Sequence, residues 1–142
     1  MWDMKPQAKS FEDLDCWKHS TTLRRRLAEL VKIFPAEEKY RLTDQIIRAS
    51  RSATSNIAEG YGRFHFQENT QYCRQARGSL YELIDHLLIA ADQGYISKEE
   101  FTGLKQRRHF LPRTVEWLYQ LPSKSKGNEV LSQLIVIPNM CA

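Results

Sequence analysis

Between Arg41 and Arg63 the sequence RLTDQIIRASRSATSNIAEGYGR returns apolar or small side chains every three or four positions along two separate lines. Each residue of an α-helix advances about 100° around the axis, so Leu42, Ile46, Ala49, Ala53 and Ile57 share a stripe roughly 80° wide that faces the subunit core. A second line, Ile47, Arg51, Thr54 and Ala58, follows the same spacing on the far side, where the surface helix of a monomer is uniformly polar. Small residues dominate both lines, letting neighbouring backbones approach closely and placing this helix at the centre of an assembly. Ile47, Arg51, Thr54 and Ala58 are therefore expected at an oligomer interface. Gly60 and Gly62 supply the freedom to leave the helix, Gly60 being where a positive φ would do so.

The stretch from Gln67 to Gln93 has the clearest period, in Cys73, Ala76, Leu80, Leu83, Leu87 and Ala91. It too has a second seam, Arg77, Tyr81, Ile84 and Leu88, displaced by about 90°. Two successive helices with double seams fit an oligomer better than a monomer, so Arg77, Tyr81 and Leu88 join the expected interface. Ahead of these, Ser10-Phe11-Glu12-Asp13 has the pattern of a capping box, and Leu23, Leu27, Leu30, Val31 and Phe34 form a stripe that Pro35 ends. Gly94 closes the third helix, and Ser97-Lys98-Glu99-Glu100 repeats the capping pattern before Phe101, Leu104, Leu111, Val115 and Leu118. Pro112 interrupts that last stripe and implies a kink or break near Phe110. The predicted helices span about 12–34, 39–60, 67–93 and 98–120, an all-α, antiparallel up-down four-helix bundle within residues 1–121. Residues 122–142 read as a linker and short C-terminal tail whose apolar patch, Val130 to Ile137, is expected to dock on another surface.

A chain of 142 residues suits one domain with a real core. Its 42% hydrophobic and 27% charged residues exclude global disorder and give no membrane span. The first residues are acidic and lack an apolar signal region, so a cytoplasmic location is expected. Cys16, Cys73 and Cys141 lie far apart without a CxxC pair and read as reduced thiols. Charge is uneven: residues 41–78 hold six basic and three acidic side chains, residues 79–96 none and three, and residues 97–128 seven and three.

The string Phe11-Glu12-Asp13-Leu14 with Trp17, then Arg48-Ala49-Ser50-Arg51-Ser52, Asn56-Ile57-Ala58-Glu59-Gly60 with Gly62-Arg63, and Ala76-Arg77-Gly78-Ser79-Leu80-Tyr81-Glu82-Leu83 resembles the four helix bundle protein family. The founding members of that family are encoded in intervening sequences of bacterial large-subunit ribosomal RNA genes. The resemblance covers roughly residues 11–120 and implies a bundle that assembles as a ring, commonly a homopentamer. Related proteins include accessory factors of diversity-generating retroelements, which partner a reverse transcriptase and bind nucleic acid.

Asn56 and Glu59 project toward the edge of the core stripe. A buried carboxylate there needs partners, and Arg77 or amide donors near Gly62 could supply them, so the pair reads as a structural polar network. For phosphate contact the freest cations are Arg48, Arg63, Arg107, Arg108 and Arg113, since Arg51 and Arg77 are claimed by the seams with Glu82 and Asp85 as counter-charges. Tyr61, Phe64, Phe66 and Tyr72 are near enough in sequence to offer base stacking. Arg24, Arg25 and Arg26 read as a solvated face. His19, His65, His86 and His109 lack the i, i+4 pairing of a metal site, and neither a nucleophile constellation nor a phosphate-binding glycine loop is present. The residues thus predict a non-enzymatic scaffold or adaptor, without cofactor or metal, that binds RNA or DNA, with a reverse transcriptase as candidate partner. The alternative is a protein-binding oligomeric scaffold whose arginines serve only the ring.

Overall fold

The computed structural model describes residues 8–63 and 66–106. Within them the chain forms four α-helices and no strand: α1 (Asp15–Leu30), α2 (Leu42–Gly62), α3 (Phe66–Asp92) and α4 (Lys98–Gln106). Residues 107–142, with the expected kink at Pro112 and the tail, lie outside the described residues.

The capping box at Ser10 forms, but on a short 3-10 turn ahead of the first helix: Asp13 Oδ2 accepts from the Ser10 amide at 3.1 Å, and Ser10 Oγ caps the turn Phe11–Asp13. Leu14 then takes an extended conformation with its side chain wholly buried, so α1 starts only at Asp15. After Leu30 the helix tightens into a 3-10 turn, Val31–Ile33, and Phe34 leads extended into Pro35. At the start of α2 no side chain of the N-cap residue helps. Glu38 does so from one turn earlier, its Oε2 accepting from the Leu42 amide at 3.1 Å while its Oε1 accepts from the Tyr95 hydroxyl at 3.0 Å. One carboxylate thereby ties the α1–α2 connection to the α3–α4 connection.

The main core joins Leu23 and Leu27 of α1, Ile46, Ala49 and Ala53 of α2, Leu80, Leu83 and Leu87 of α3, and Leu104 of α4. Fully burying such an aliphatic side chain contributes about 1.5–3 kcal/mol. Along α3 the buried line ends on Ala90 rather than the expected Ala91, which is half-buried. A second cluster, with Leu14, Cys16, Ile57, Cys73 and Ala76, fills the other end under Phe11, Trp17 and Tyr61. The Tyr61 hydroxyl donates to the Ala8 carbonyl at 3.1 Å and pins the N-terminal segment over it.

Ser52 and Ser79 hydroxyls meet at 2.9 Å, and seven residues further along α2 Glu59 meets Tyr72, seven residues earlier in α3. Progress along α2 therefore runs against progress along α3. Arg24 of α1 reaches Thr54 of α2, and Arg26 of α1 pairs with Glu100 of α4, so α1 is fastened to both.

The two glycine expectations separate. Gly94 has φ +75°, the single positive φ among the described residues, and the amides of Gly94 and Tyr95 bond the carbonyls of Ala91 and Ala90 at 3.0 and 2.9 Å. That pair of bonds is the Schellman ending of a helix. Gly60 and Gly62 instead remain inside α2, and the chain leaves through Arg63 with φ −80° and ψ 139°. The helix continues because its last carbonyls find donors: the Arg63 amide bonds Gly60 O at 3.2 Å, and the buried Asn69 amide, assigned the orientation that turns its nitrogen toward these two acceptors, donates to Gly60 O and Arg63 O.

These two environments give opposite expectations for the same substitution. Gly94→Ala should destabilise by about 1 kcal/mol, because an L side chain at positive φ is strained. A Cβ at Gly62 would meet nothing within 4 Å, so Gly62→Ala should stabilise by about 0.4–1 kcal/mol. Urea denaturation followed by circular dichroism measures both.

Candidate nucleic-acid interface

The circumference of α2 divides into a core face, two flanks and one open ridge. Leu42, Ile46, Ala49, Ala53 and Ile57 are buried as the periodicity requires. On one flank Thr54 is only 2% exposed, and its Oγ1 accepts from Arg24 Nη1 at 2.8 Å while donating to the Arg51 carbonyl at 3.0 Å. Thr54 is thus consumed inside the subunit, against α1, and is unavailable as an oligomer contact. Ile47 is half-buried against the main core and Ala58 is half-buried, and within the second line it is Thr54 that faces α1. Of that line Arg51 alone is exposed, on an open ridge with Arg48 and Ser55.

On the other flank α2 meets α3 through polar groups. Asn56 is half-buried and its Nδ2 donates to the Ser52 carbonyl at 2.9 Å and to Ser52 Oγ at 3.2 Å, joining the Ser52–Ser79 contact. Glu59 corrects the sequence reading: it is exposed, not buried, with 47% of its side chain accessible. Its partners are also different. Arg63 Nη2 donates to Glu59 Oε1 at 2.7 Å, the Tyr72 hydroxyl donates to the same oxygen at 2.9 Å, and the Arg63 guanidinium lies 5.1 Å above the Tyr72 ring. At about 100° per residue Glu59 stands roughly 120° from the centre of the core stripe, so its exposure at the rim of α3 is what the helix period requires. Arg63, expected to be free, is held and neutralised there. The carboxyl of Glu59 is drawn below its ordinary 4.5, mainly by the Arg63 hydrogen bond and then by Tyr72.

Among the remaining expected cations, Arg48 is 78% exposed and stands 3.6 Å from Asp44, a loose surface pair. Arg107, Arg108 and Arg113 lie outside the described residues. Arg77 on α3 is half-buried, while Tyr81 and Leu88 are 54% and 44% exposed and Ile89 beside them 39%. Three residues to which the sequence assigned no positioning role do much of the positioning. Asn69, buried, closes the end of α2; Tyr72 anchors the Glu59–Arg63 pair; and Arg24, taken for a solvated cation, bridges α1 and α2.

Cys16 and Cys73 are free and buried in one cluster. Burial pushes the Cys16 thiol up to about 12, and Cys73 is raised for the same reason, so both stay protonated and pack as small apolar groups. Among the described residues no three His, Cys, Asp or Glu side chains gather to hold a metal ion, and no helix is long and apolar enough to cross a membrane.

The lowered Glu59 pKa fixes a pH dependence. A depressed carboxyl contributes its stability in full above its ordinary value of 4.5 and loses it as pH falls through the lower folded value. Glu59→Gln should therefore keep the fold at neutral pH and show a shallower fall of Tm with pH below about 4.5 than wild type. Thermal melts across pH 3 to 7, in roughly half-unit steps, check this.

No curated protein matches the chain. A protein-family model described as 23S rRNA-intervening sequence protein matches residues 12–114, a span that runs from the capped turn ahead of α1 through all four helices. Because that match takes in most of the sequence, the chain belongs to the 23S rRNA-intervening sequence protein family.

Proposed function

We propose that this protein is a non-enzymatic, ring-forming helical scaffold that binds nucleic acid, with RNA the first ligand to test. Membership of a family named for an intervening sequence of ribosomal RNA carries the reading, and the open ridge of α2, where Arg48 and Arg51 meet solvent, supports it. The fold is proposed as an antiparallel up-down four-helix bundle: the opposed register of α2 and α3 and the ties from α1 to α2 and α4 favour that arrangement. Arg107, Arg108 and Arg113 continue the basic surface in sequence beyond α4. The resemblance to retroelement accessory factors makes a reverse transcriptase the protein partner to test.

Assembly as a pentameric ring is supported by the exposed apolar side chains Tyr81, Leu88 and Ile89 on α3, which water covers poorly. A ring repeats each basic patch about one axis, so weak phosphate contacts add by avidity. The same apolar strip favours a second reading, an oligomeric scaffold that binds only protein.

Light scattering should give a mass near five times 16.7 kDa for wild type, and Tyr81→Asp with Leu88→Asp should reduce it; a monomeric wild type would contradict the ring. Filter binding to structured RNA over a salt series should show sequence-independent affinity that falls steeply as counterions are released. Arg107→Glu with Arg108→Glu should flatten that dependence without changing the mass. Absence of any complex at low salt, by an intact assembly, would leave the protein-only scaffold standing.

A further inference from the structure

The arginines of the described residues differ in what compensates their charge, and Arg41, Arg74 and Arg77 have no carboxylate partner among those residues. Arg26 pairs with Glu100 and Arg63 with Glu59, so neither offers a net cation. Arg24 is held instead by a neutral group, the hydroxyl of buried Thr54, 2.8 Å away. The donor accounting at that oxygen is complete. Thr54 spends its one proton on the Arg51 carbonyl at 3.0 Å and a lone pair on Arg24, so the guanidinium is held without losing charge. Thr54 Oγ1 therefore sets the Arg24 guanidinium within one helical turn of Arg51, which is exposed, and among the described residues no carboxylate pairs with either. Exposed Arg25 adjoins Arg24 in sequence, and exposed Arg48 lies one turn before Arg51 with only the loose contact to Asp44. Cations on adjoining helices with no carboxylate partner among the described residues leave a positive charge that an anion compensates. By contrast residues 79–96 of α3 and its following turn carry Glu82, Asp85 and Asp92 and no Lys or Arg, which turns a polyanion away.

We propose that Arg24 and Arg51, flanked by Arg25 and Arg48, form the site that grips the phosphate backbone of RNA, with Thr54 as the positioning residue for Arg24. This reassigns Arg51 from the subunit interface and Arg24 from a solvated face, and it rests on the RNA-binding reading above. A guanidinium pair of this kind reads charge and shape, not base identity.

The test is the salt dependence of RNA binding by the full chain, with mass by light scattering and helicity by circular dichroism recorded for every variant. Arg24→Gln with Arg51→Gln should weaken binding to structured RNA about ten-fold or more at low salt and reduce the slope of log K against log salt by about 1.5. Thr54→Val, which keeps the volume and removes the hydroxyl, should weaken binding about three-fold while keeping the slope, because the charge remains and only its placement is lost. Lys32→Gln, on an exposed lysine paired with Glu29, should change neither. If the double variant loses helicity, each single arginine variant should still lower the slope by about 0.7–0.9. Wild type binding RNA with the arginine variants unchanged in affinity and slope would overturn this site and leave the RNA reading intact. An intact wild type that binds no RNA would overturn both. Unchanged affinity in Thr54→Val would remove its positioning role, and competition by poly-glutamate as effective as by RNA of equal charge would overturn the phosphate assignment.

Discussion

Everything in this structure depends on α2 being narrow enough to be packed from two sides at once. Ala49, Ser50, Ala53 and Thr54 are all nearly inaccessible, and none is larger than threonine. Small side chains bring the helix axes close enough for the Ser52 and Ser79 hydroxyls to touch across the α2–α3 seam. Burying hydroxyls is costly unless each finds a partner, and here the helices supply their own: Ser50 donates to Ile47 O, Thr54 to Arg51 O and Ser79 to Gln75 O. Ser20 and Thr21 on α1 are exceptions, buried with no hydrogen-bond partner for their hydroxyl oxygens among the described residues. They mark where close approach of α1 outweighed polar satisfaction.

That constraint explains which parts of the sequence could be read directly. A core stripe has one period and one direction, so the buried residues of α2 and α3 and the glycine end of α3 followed from spacing alone. The second line of α2 was ambiguous in principle, because a helix covered by α1 and a helix covered by another subunit produce the same pattern of small residues. Thr54 settled on the first. The burial expected of Glu59 did not follow from the period, which at about 100° per residue sets it roughly 120° from the core stripe; what spacing could not show is that Tyr72 of α3 reaches it there. Asn69 gave only a weak signal, an amide side chain in the first turn of α3, and its role emerges only when the carbonyls of Gly60 and Arg63 are seen to converge on it.

The same tertiary information changes the electrostatics. Sequence counts treat every arginine alike, but the fold cancels Arg26 and Arg63 with carboxylates and leaves Arg24 and Arg51 uncompensated. Uncompensated arginines thus stand on α1 and α2 and, as Arg74 and Arg77, in the first half of α3, while the second half of α3 combines acidic residues with the exposed Tyr81 and Leu88. The α1–α2 hairpin carries the cations of the proposed phosphate site, and the second half of α3 carries the exposed apolar side chains of the proposed ring contact.

Photo-crosslinking tests this division most directly, because it needs no substitution in the protein. Wild-type assembly would be bound to structured RNA containing 4-thiouridine, irradiated, digested and mapped by mass spectrometry. The account predicts cross-linked peptides from α1 around Arg24 and from α2 between Arg48 and Ser55, with none from Glu82 to Asp92. Cross-links on that stretch of α3, with α1 and α2 unmodified, would contradict it.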